Sequence, residues 1–128
     1  MTRPVAPLVI ACVAALAGTT AWASPPVPLA KNQAIATARA KLKQAGWRPM
    51  KIKYQGLDTA FVAFWQAGYT ETEQCASDDA FCVLDYSDGH GNCLRVMFDY
   101  NMLKPLQAWV TSWTRECPNP DMLIKPRH

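Results

Sequence analysis

The residues with the clearest chemical potential are cysteines, three of which share positions 75–93 with several carboxylates. A further cysteine near the C-terminus completes an even set: Cys75, Cys82, Cys93 and Cys117. Zinc knuckles place paired ligands about two to four residues apart, whereas six, ten and twenty-three residues separate these cysteines. In a short exported chain this spacing predicts two disulfides and no metal site.

The connectivity of the disulfides stays open, because four cysteines can pair in three ways. Loop closure costs least entropy for near neighbours, so proximity favours a bond between Cys75 and Cys82. Cys93 would then reach Cys117 and tie a hairpin to the C-terminal element.

The other reactive side chains form no recognisable catalytic pattern. His90 falls in a predicted turn and His128 ends the sequence, so neither is well placed as a buried base. The sequence also contains no G-x-S-x-G, P-loop, C-x-x-C or G-x-G-x-x-G motif. Four aspartates lack the EF-hand order and are typical of solvated turns: Asp78, Asp79, Asp85 and Asp88. We expect no catalytic residue, no metal and no cofactor, and a protein that is not an enzyme.

The N-terminus has the pattern of a secretory signal peptide. Arg3 precedes an apolar run over residues 5–17, and Ala21 and Ala23 form an A-x-A cleavage site. The run is shorter than the roughly 20 residues that a membrane-spanning helix needs. We expect cleavage after Ala23, a periplasmic or secreted location, and no integral membrane protein. In a second, lower-ranked interpretation, residues 9–12 are a lipobox and Cys12 is lipidated.

The segments that position these residues form one small domain. We divide the sequence into a signal peptide (1–23), a proline-rich linker (24–30), a domain (31–117) and an extended tail (118–128). The predicted fold class is α+β, with two or three helices packed on an antiparallel sheet of three to four strands. A domain this small buries a limited share of its surface and benefits from disulfides.

Periodicity places the first elements. Asn32 is a candidate cap for a helix that runs to residue 45 and stops at Gly46. Asp58 opens a second apolar run, 59–67, which Gly68 closes. We read this run as a helix, although a buried strand is an alternative. Alternating residues predict strands at 50–54 and 69–75.

The clearest hairpin joins residues 81–87 to 92–100 through a glycine-containing turn. A three-residue loop would pair Leu84 with Leu94 and Cys82 with Val96. One face is then apolar and consists of Cys82, Leu84, Tyr86, Leu94, Val96 and Phe98. The other face carries Asp85, Cys93 and Arg95.

Residues 105–117 fit two structures. Leu106, Trp109, Val110 and Trp113 recur at helical spacing, with Pro105 at the first helical position. Trp, Val and Thr are also common in strands. Of the two, we favour a helix.

Charge is unevenly distributed, because residues 31–53 contain no acid and seven bases. Such runs usually face water, but this one could attract an anionic envelope component through screened electrostatics. The candidate face comprises Arg39, Lys41, Lys43, Arg48, Lys51 and Lys53. Nucleic acid is a poor partner, given a net charge of +3 and an exported location.

We therefore predict a small exported binding or interaction module of the bacterial envelope, inhibitor-like or immunity-like. Its partner would be a protein or an anionic envelope component. The alternative is an envelope-associated structural factor, lipidated through Cys12; an aspartate-based enzyme of unrecognised type ranks third. A helix, helix, sheet order resembles the β-lactamase inhibitory protein and the small outer-membrane assembly lipoproteins, but no functional motif of either family is present. The tryptophans are expected mainly in the core, with one or two as surface anchors: Trp47, Trp65, Trp109 and Trp113.

Overall fold

Two helices and five antiparallel strands form the computed structural model, which describes residues 23–56 and 58–125. In chain order these are α1 (Ile35–Ala45), β1 (Arg48–Pro49), α2 (Thr59–Gln66), β2 (Thr72–Ala76), β3 (Phe81–Ser87), β4 (Cys93–Tyr100) and β5 (Ala108–Thr114), followed by a 3₁₀ turn at Pro120–Met122. The predicted α+β class is confirmed, and the sheet has more strands than the three to four expected. No helix within the described ranges is long and apolar enough to cross a membrane.

Strand β3 lies at the centre of the sheet. β4 pairs along one side of β3, and β5 pairs with the far side of β4. β1 and β2 share the other side of β3, with β1 opposite its last two residues and β2 opposite residues 81–84. Each inner strand is therefore paired on both sides, which satisfies its backbone hydrogen bonds.

The core lies between the two helices and one face of the sheet. Ile35 and Leu42 of α1 and Phe64 of α2 are buried there against alternate residues of the strands. The ring of Phe64 meets that of Phe98 edge-on, with centroids 4.9 Å apart, an arrangement that aromatic pairs prefer. We call the opposite side of the sheet, which carries Asp85 and Arg95, the outer face.

The hairpin of β3 and β4 is confirmed, but the predicted register is wrong by two residues. Leu84 pairs with Val96, and Cys82 pairs with Phe98, whereas Leu84 was expected opposite Leu94. A shift of two residues leaves every side chain on the same face of a strand. The apolar and polar faces were therefore predicted correctly, although the pairing was not.

The turn explains the register. It spans residues 88–92 and is longer than the three-residue loop expected. Asp88 Oδ1 accepts hydrogen bonds from the backbone amides of His90 (2.7 Å) and Asn92 (3.1 Å), and the amide of Asp88 donates to the carbonyl of Asn92 (3.1 Å). An aspartate that satisfies its own turn stabilises a longer connection.

The helix expected over residues 105–117 is wrong, because this segment forms β5. Ala108 and Val110 are buried, whereas Trp109 between them is 36% exposed, which is the two-residue period of a strand. Pairing with β4 decides the structure, since β4 would otherwise leave a row of buried backbone groups without partners.

The ends of the helices show which caps were predicted correctly. Gly46 ends α1 in the left-handed conformation, with a φ of 107°, and Asp58 caps α2 by accepting from two amides of its first turn (2.8 and 3.3 Å). Asn32 does not cap α1, which begins after Ala34. The backbone amide of Asn32 donates instead to the carbonyl of Val110 (2.7 Å). Asn32 therefore hydrogen-bonds to the edge strand β5.

The strand expected at 50–54 is also wrong. Hydrogen bonding to β3 ends at Met50, whose amide donates to the carbonyl of Asp85 (3.0 Å) just after β1, and Ile52 forms only an isolated bridge with Leu123. That bridge holds the C-terminal segment against the domain, because the amide of Lys53 also donates to the carbonyl of Met122 (2.8 Å).

The proline-rich segment, residues 24–30, is extended and contacts the domain. The carbonyl of Pro26 accepts from Trp47 Nε1 (2.9 Å), and Leu29 packs against the core. The predicted signal sequence before Ala23, including Cys12, lies outside the described residues, as does His128.

Candidate functional site

Two disulfides brace the sheet, with the connectivity that proximity favoured. Cys75 and Cys82 lie directly opposite each other on β2 and β3, with their Cα atoms 4.0 Å apart. Cys93 at the start of β4 is bonded to Cys117, beyond the end of β5, with Cα atoms 5.0 Å apart. Because disulfides persist in oxidising surroundings, these bonds indicate an oxidising, extracellular compartment.

Arg39 differs from the rest of the candidate basic face, because its charge is already paired. Its guanidinium donates to both carboxylate oxygens of Glu71 (2.9 Å each) and to the carbonyl of Gly68 (3.1 Å). It also stacks 3.7 Å above the ring centroid of Tyr69. Burial opposes its charge, but the hydrogen bonds and the attraction of Glu71 outweigh burial and raise the pKa of Arg39. Arg39 therefore acts as an internal partner of the sheet.

The carboxylate that Arg39 pairs with is buried. The side chain of Glu71 is 1% exposed, and it also accepts a hydrogen bond from the hydroxyl of Tyr86. Burial, and then the charge of Glu71, raise the pKa of Tyr86 well above its ordinary value. The hydroxyl therefore stays protonated and remains a donor to Glu71 at all physiological pH values.

The remaining members of the candidate face are exposed: Lys41, Lys43, Arg48, Lys51 and Lys53. None of the five forms an ion pair within residues 23–56 and 58–125. Lys43 and Pro49 line one cleft of about 280 Å³, so Lys43 lies on the same side of the domain as the end of β1. Lys51 and Lys53 flank the buried Ile52 in the extended segment that follows.

A β-bulge places two nearby acids on opposite sides of the sheet. The register of β2 and β3 shifts between Thr72 and Gln74, so Glu73 is the extra residue. In a regular strand, residues two apart share a face, and a bulge can redirect a side chain. Here Glu71 contacts Arg39 on the helix side, whereas Glu73 contacts Arg95 on the outer face.

The outer face gathers three carboxylates around Arg95. Its Nη2 lies 3.0 Å from Glu73 Oε2, its Nε lies 3.4 Å from Asp85 Oδ1, and its Nη1 lies 3.1 Å from Glu116 Oε2. Asp85 is fully buried and Glu116 is largely exposed. Burial, followed by the repulsion of Glu73, raises the pKa of Asp85 to about 7, and the charge of Arg95 only partly opposes this rise.

The other predicted acids are not assembled into a site. Asp78 and Asp79 are exposed in the turn between β2 and β3, and Asp88 is engaged in its own turn, where its hydrogen bond with Asn92 lowers its pKa. Among the described residues, no group of three His, Cys, Asp or Glu side chains is arranged to hold a metal ion.

An apolar loop between β4 and β5 was missed by sequence reasoning. Residues 101–107, which we call the apolar loop, expose 66% of Met102 and 92% of Leu103. Asn101 Oδ1 accepts from the amide of Leu103 (2.9 Å), and the amide of Asn101 donates to the carbonyl of Gln107 (2.8 Å). The signal available in the sequence was a pair of apolar residues in a turn, which the helix interpretation concealed.

Fewer tryptophans lie in the core than expected, because Trp65 and Trp113 are only half-buried. Trp47 is buried in the core, whereas Trp109 is partly exposed on the edge strand β5. Trp109 borders a surface groove together with Leu106 and Ala36. The apolar surface of the loop therefore continues along the start of β5.

No known protein family matches the chain, and neither curated proteins nor solved structures give a significant match. The function is consequently argued from the residues of this chain.

Proposed function

We propose that this protein is a small exported binding module of the bacterial envelope, inhibitor-like or immunity-like, that acts without catalysis. Its partner is a protein, and the apolar loop is the surface that contacts it. The observation that carries this proposal is Leu103, which is 92% exposed at the tip of a loop with internal hydrogen bonds.

A fixed loop suits recognition better than a mobile one. The carbonyl of Lys104 accepts from the amide of Gln107 (2.9 Å), and the amide of Lys104 donates to the carbonyl of Asn101 (3.1 Å). A loop that is already ordered loses little conformational entropy when it binds, so more of the contact energy becomes affinity. Large exposed apolar side chains are typical of interaction sites when they are grouped.

The charge of the loop limits the kind of partner. Lys104 is the only ionisable residue of the loop, and it lies beside Leu103 at the tip. The partner that fits is therefore an apolar pocket, deep enough for a leucine side chain, with acidic groups at its rim. Rim charges of opposite sign mainly accelerate association and select the partner.

The test is affinity capture from envelope extract with the wild-type protein, Leu103→Asp and Ile124→Asp. Ile124 is the matched control, because it is an exposed apolar residue outside the loop. We expect wild type and Ile124→Asp to retain the same protein and Leu103→Asp to lose it, with all three equally stable to heat. Retention of that protein by Leu103→Asp would refute the role of the loop.

A second candidate partner is an anionic envelope component, which the exposed side chains of Lys41, Lys43, Lys51 and Lys53 favour. Vesicles containing anionic lipid should then bind the protein at low salt and release it as salt rises, because exposed charges are screened. Replacing Lys51 and Lys53 by Gln should weaken that binding, and equal binding to neutral vesicles would contradict it.

The envelope-associated structural factor remains the alternative proposal, in which Cys12 carries a lipid. The intact mass of the exported protein separates the two proposals. A chain beginning at Ser24 without added mass supports the binding module, and a diacylglyceryl mass on Cys12 supports the structural factor.

A further inference from the structure

On the outer face, Glu73 and Asp85 each have a buried carboxylate oxygen that is incompletely hydrogen-bonded. Asp85 Oδ2 accepts no hydrogen bond within the described ranges, and the buried Glu73 Oε2 has only its ion-pair contact with Arg95 Nη2, at 3.0 Å. The two carboxylates lie against the same guanidinium, with Arg95 Nη2 3.0 Å from Glu73 Oε2 and Arg95 Nε 3.4 Å from Asp85 Oδ1. A carboxylate can only accept hydrogen bonds, so two facing carboxylates are satisfied only when one of them carries a proton.

The charges around this pair make a shared proton necessary. Glu73 approaches from β2, Arg95 from β4 and Glu116 from the segment after β5, and Asp58 at the start of α2 lines the same cleft as Glu73. One guanidinium thus faces three carboxylates in contact with it. Glu116 is largely exposed, so Glu73 and Asp85 are the two held close together and out of water, where like charges cannot both be ionised without a large cost.

We propose that Glu73 and Asp85 share one proton beneath Arg95, and that losing it as the pH rises loosens β2 from β3 at the bulge. The disulfide between Cys75 and Cys82 holds the other end of β2, so the opening is confined to the bulged end. The hydrogen bond from the amide of Asp85 to the carbonyl of Glu71 (3.1 Å) crosses that end and reports on its state.

The direction of the pH dependence follows from where the proton is held. Asp85 has a pKa of about 7 in the folded protein, whereas an Asp side chain in the unfolded protein has a pKa of about 3.9. The shared proton therefore stabilises the folded protein fully below the lower pKa. Its contribution decreases above that value and is lost as the pH rises through the higher pKa. We therefore expect β2 to be held more firmly against β3 at mildly acidic pH than at alkaline pH.

The experiment compares urea unfolding of wild type and Asp85→Asn at pH 5 and pH 8. An asparagine can donate to Glu73 and accept from Arg95 without needing a proton. We expect the unfolding equilibrium constant of wild type, relative to the variant, to increase at least tenfold between pH 5 and pH 8. The same ratio at both pH values would overturn the proposal.

Two further variants serve as a control and as a substitute for Asp85→Asn. Asp99→Asn removes a carboxylate of β4 that forms no ion pair in the described part of the chain, and it should keep the wild-type pH profile. If Asp85→Asn fails to fold, Glu73→Gln supplies the donor from the other side and should flatten the profile equally. A flattened profile in Asp99→Asn, or an unaltered one in Glu73→Gln, would contradict a proton shared by this pair.

Hydrogen exchange locates the opening. The protection factor of the amide of Asp85 should fall at least tenfold from pH 5 to pH 8 in wild type and stay constant in Asp85→Asn at the same position. The amide of Cys82, beside the disulfide, should be unaffected in both proteins. Equal loss of protection at both amides would show global unfolding and overturn the local mechanism.

Discussion

Replacing Arg39 by Gln is the sharpest test of how the basic segment is used. If Arg39 belongs to a solvated basic face, the change is harmless, as it should be for Lys41 two positions along the same helix. The structure predicts otherwise, because the guanidinium of Arg39 makes three hydrogen bonds and neutralises Glu71, whose side chain is 1% exposed.

The expected magnitude follows from the burial of the two partners. Removing one partner of a buried ion pair costs about 3 to 5 kcal/mol, because the other charge is left uncompensated. The side chain of Arg39 is 27% exposed, so water can replace part of the lost interaction, and Tyr86 still donates to Glu71. We therefore expect Arg39→Gln to lower the free energy of unfolding by about 3 kcal/mol. For a domain of this size that corresponds to a decrease of roughly 12 °C or more in Tm.

Urea unfolding monitored by tryptophan fluorescence, with Lys41→Gln as the matched control, measures the difference. A double-mutant cycle with Glu71→Gln should give a coupling free energy of about 1.5 kcal/mol or more between the two side chains, because they are in direct contact. If Arg39→Gln and Lys41→Gln are equally stable, within about 0.5 kcal/mol, Glu71 is effectively solvated and Arg39 returns to the candidate basic face.

Three further outcomes are expected. Replacing Cys93 and Cys117 together by Ser should cost about 2 to 4 kcal/mol, through release of the unfolded chain, and an unchanged denaturation midpoint would contradict this. Asp58→Ala should destabilise α2 by about 1 kcal/mol through loss of its N-cap, measurable by thermal melts against Asp78→Ala in an exposed turn. Mass spectrometry of the exported protein should find Ser24 at the N-terminus, and any longer chain would refute cleavage after Ala23.

Local signals determined much of this fold. Asp58 and Gly46 mark helix ends from the sequence alone, because a cap depends on residues within one turn of the helix. The alternation within β3 and β4 predicted both faces of the hairpin, since the side-chain period of a strand is set by its backbone. The number and spacing of the cysteines implied disulfides, and their proximity favoured the pairing that the structure contains.

Only the tertiary structure decided the rest. The segment at 105–117 has side chains that suit a helix or a strand, and the unpaired edge of β4 made it β5. The register of the hairpin depends on the turn at Asp88, because a shift of two residues keeps the same faces. The apolar loop then became visible as a surface only after β5 was placed.

The ion pairs of the domain were likewise decided by tertiary structure. Arg39 and Glu71 lie 32 residues apart in the sequence, and no local pattern links them. The bulge at Glu73 sends two acids of one short segment to opposite faces of the sheet. A bulge arises from the pairing of two strands, so the sequence of one strand does not reveal which residue it will displace. The sequence thus determined which charges the domain carries, and long-range pairing decided which of them are buried as partners and which remain exposed to bind.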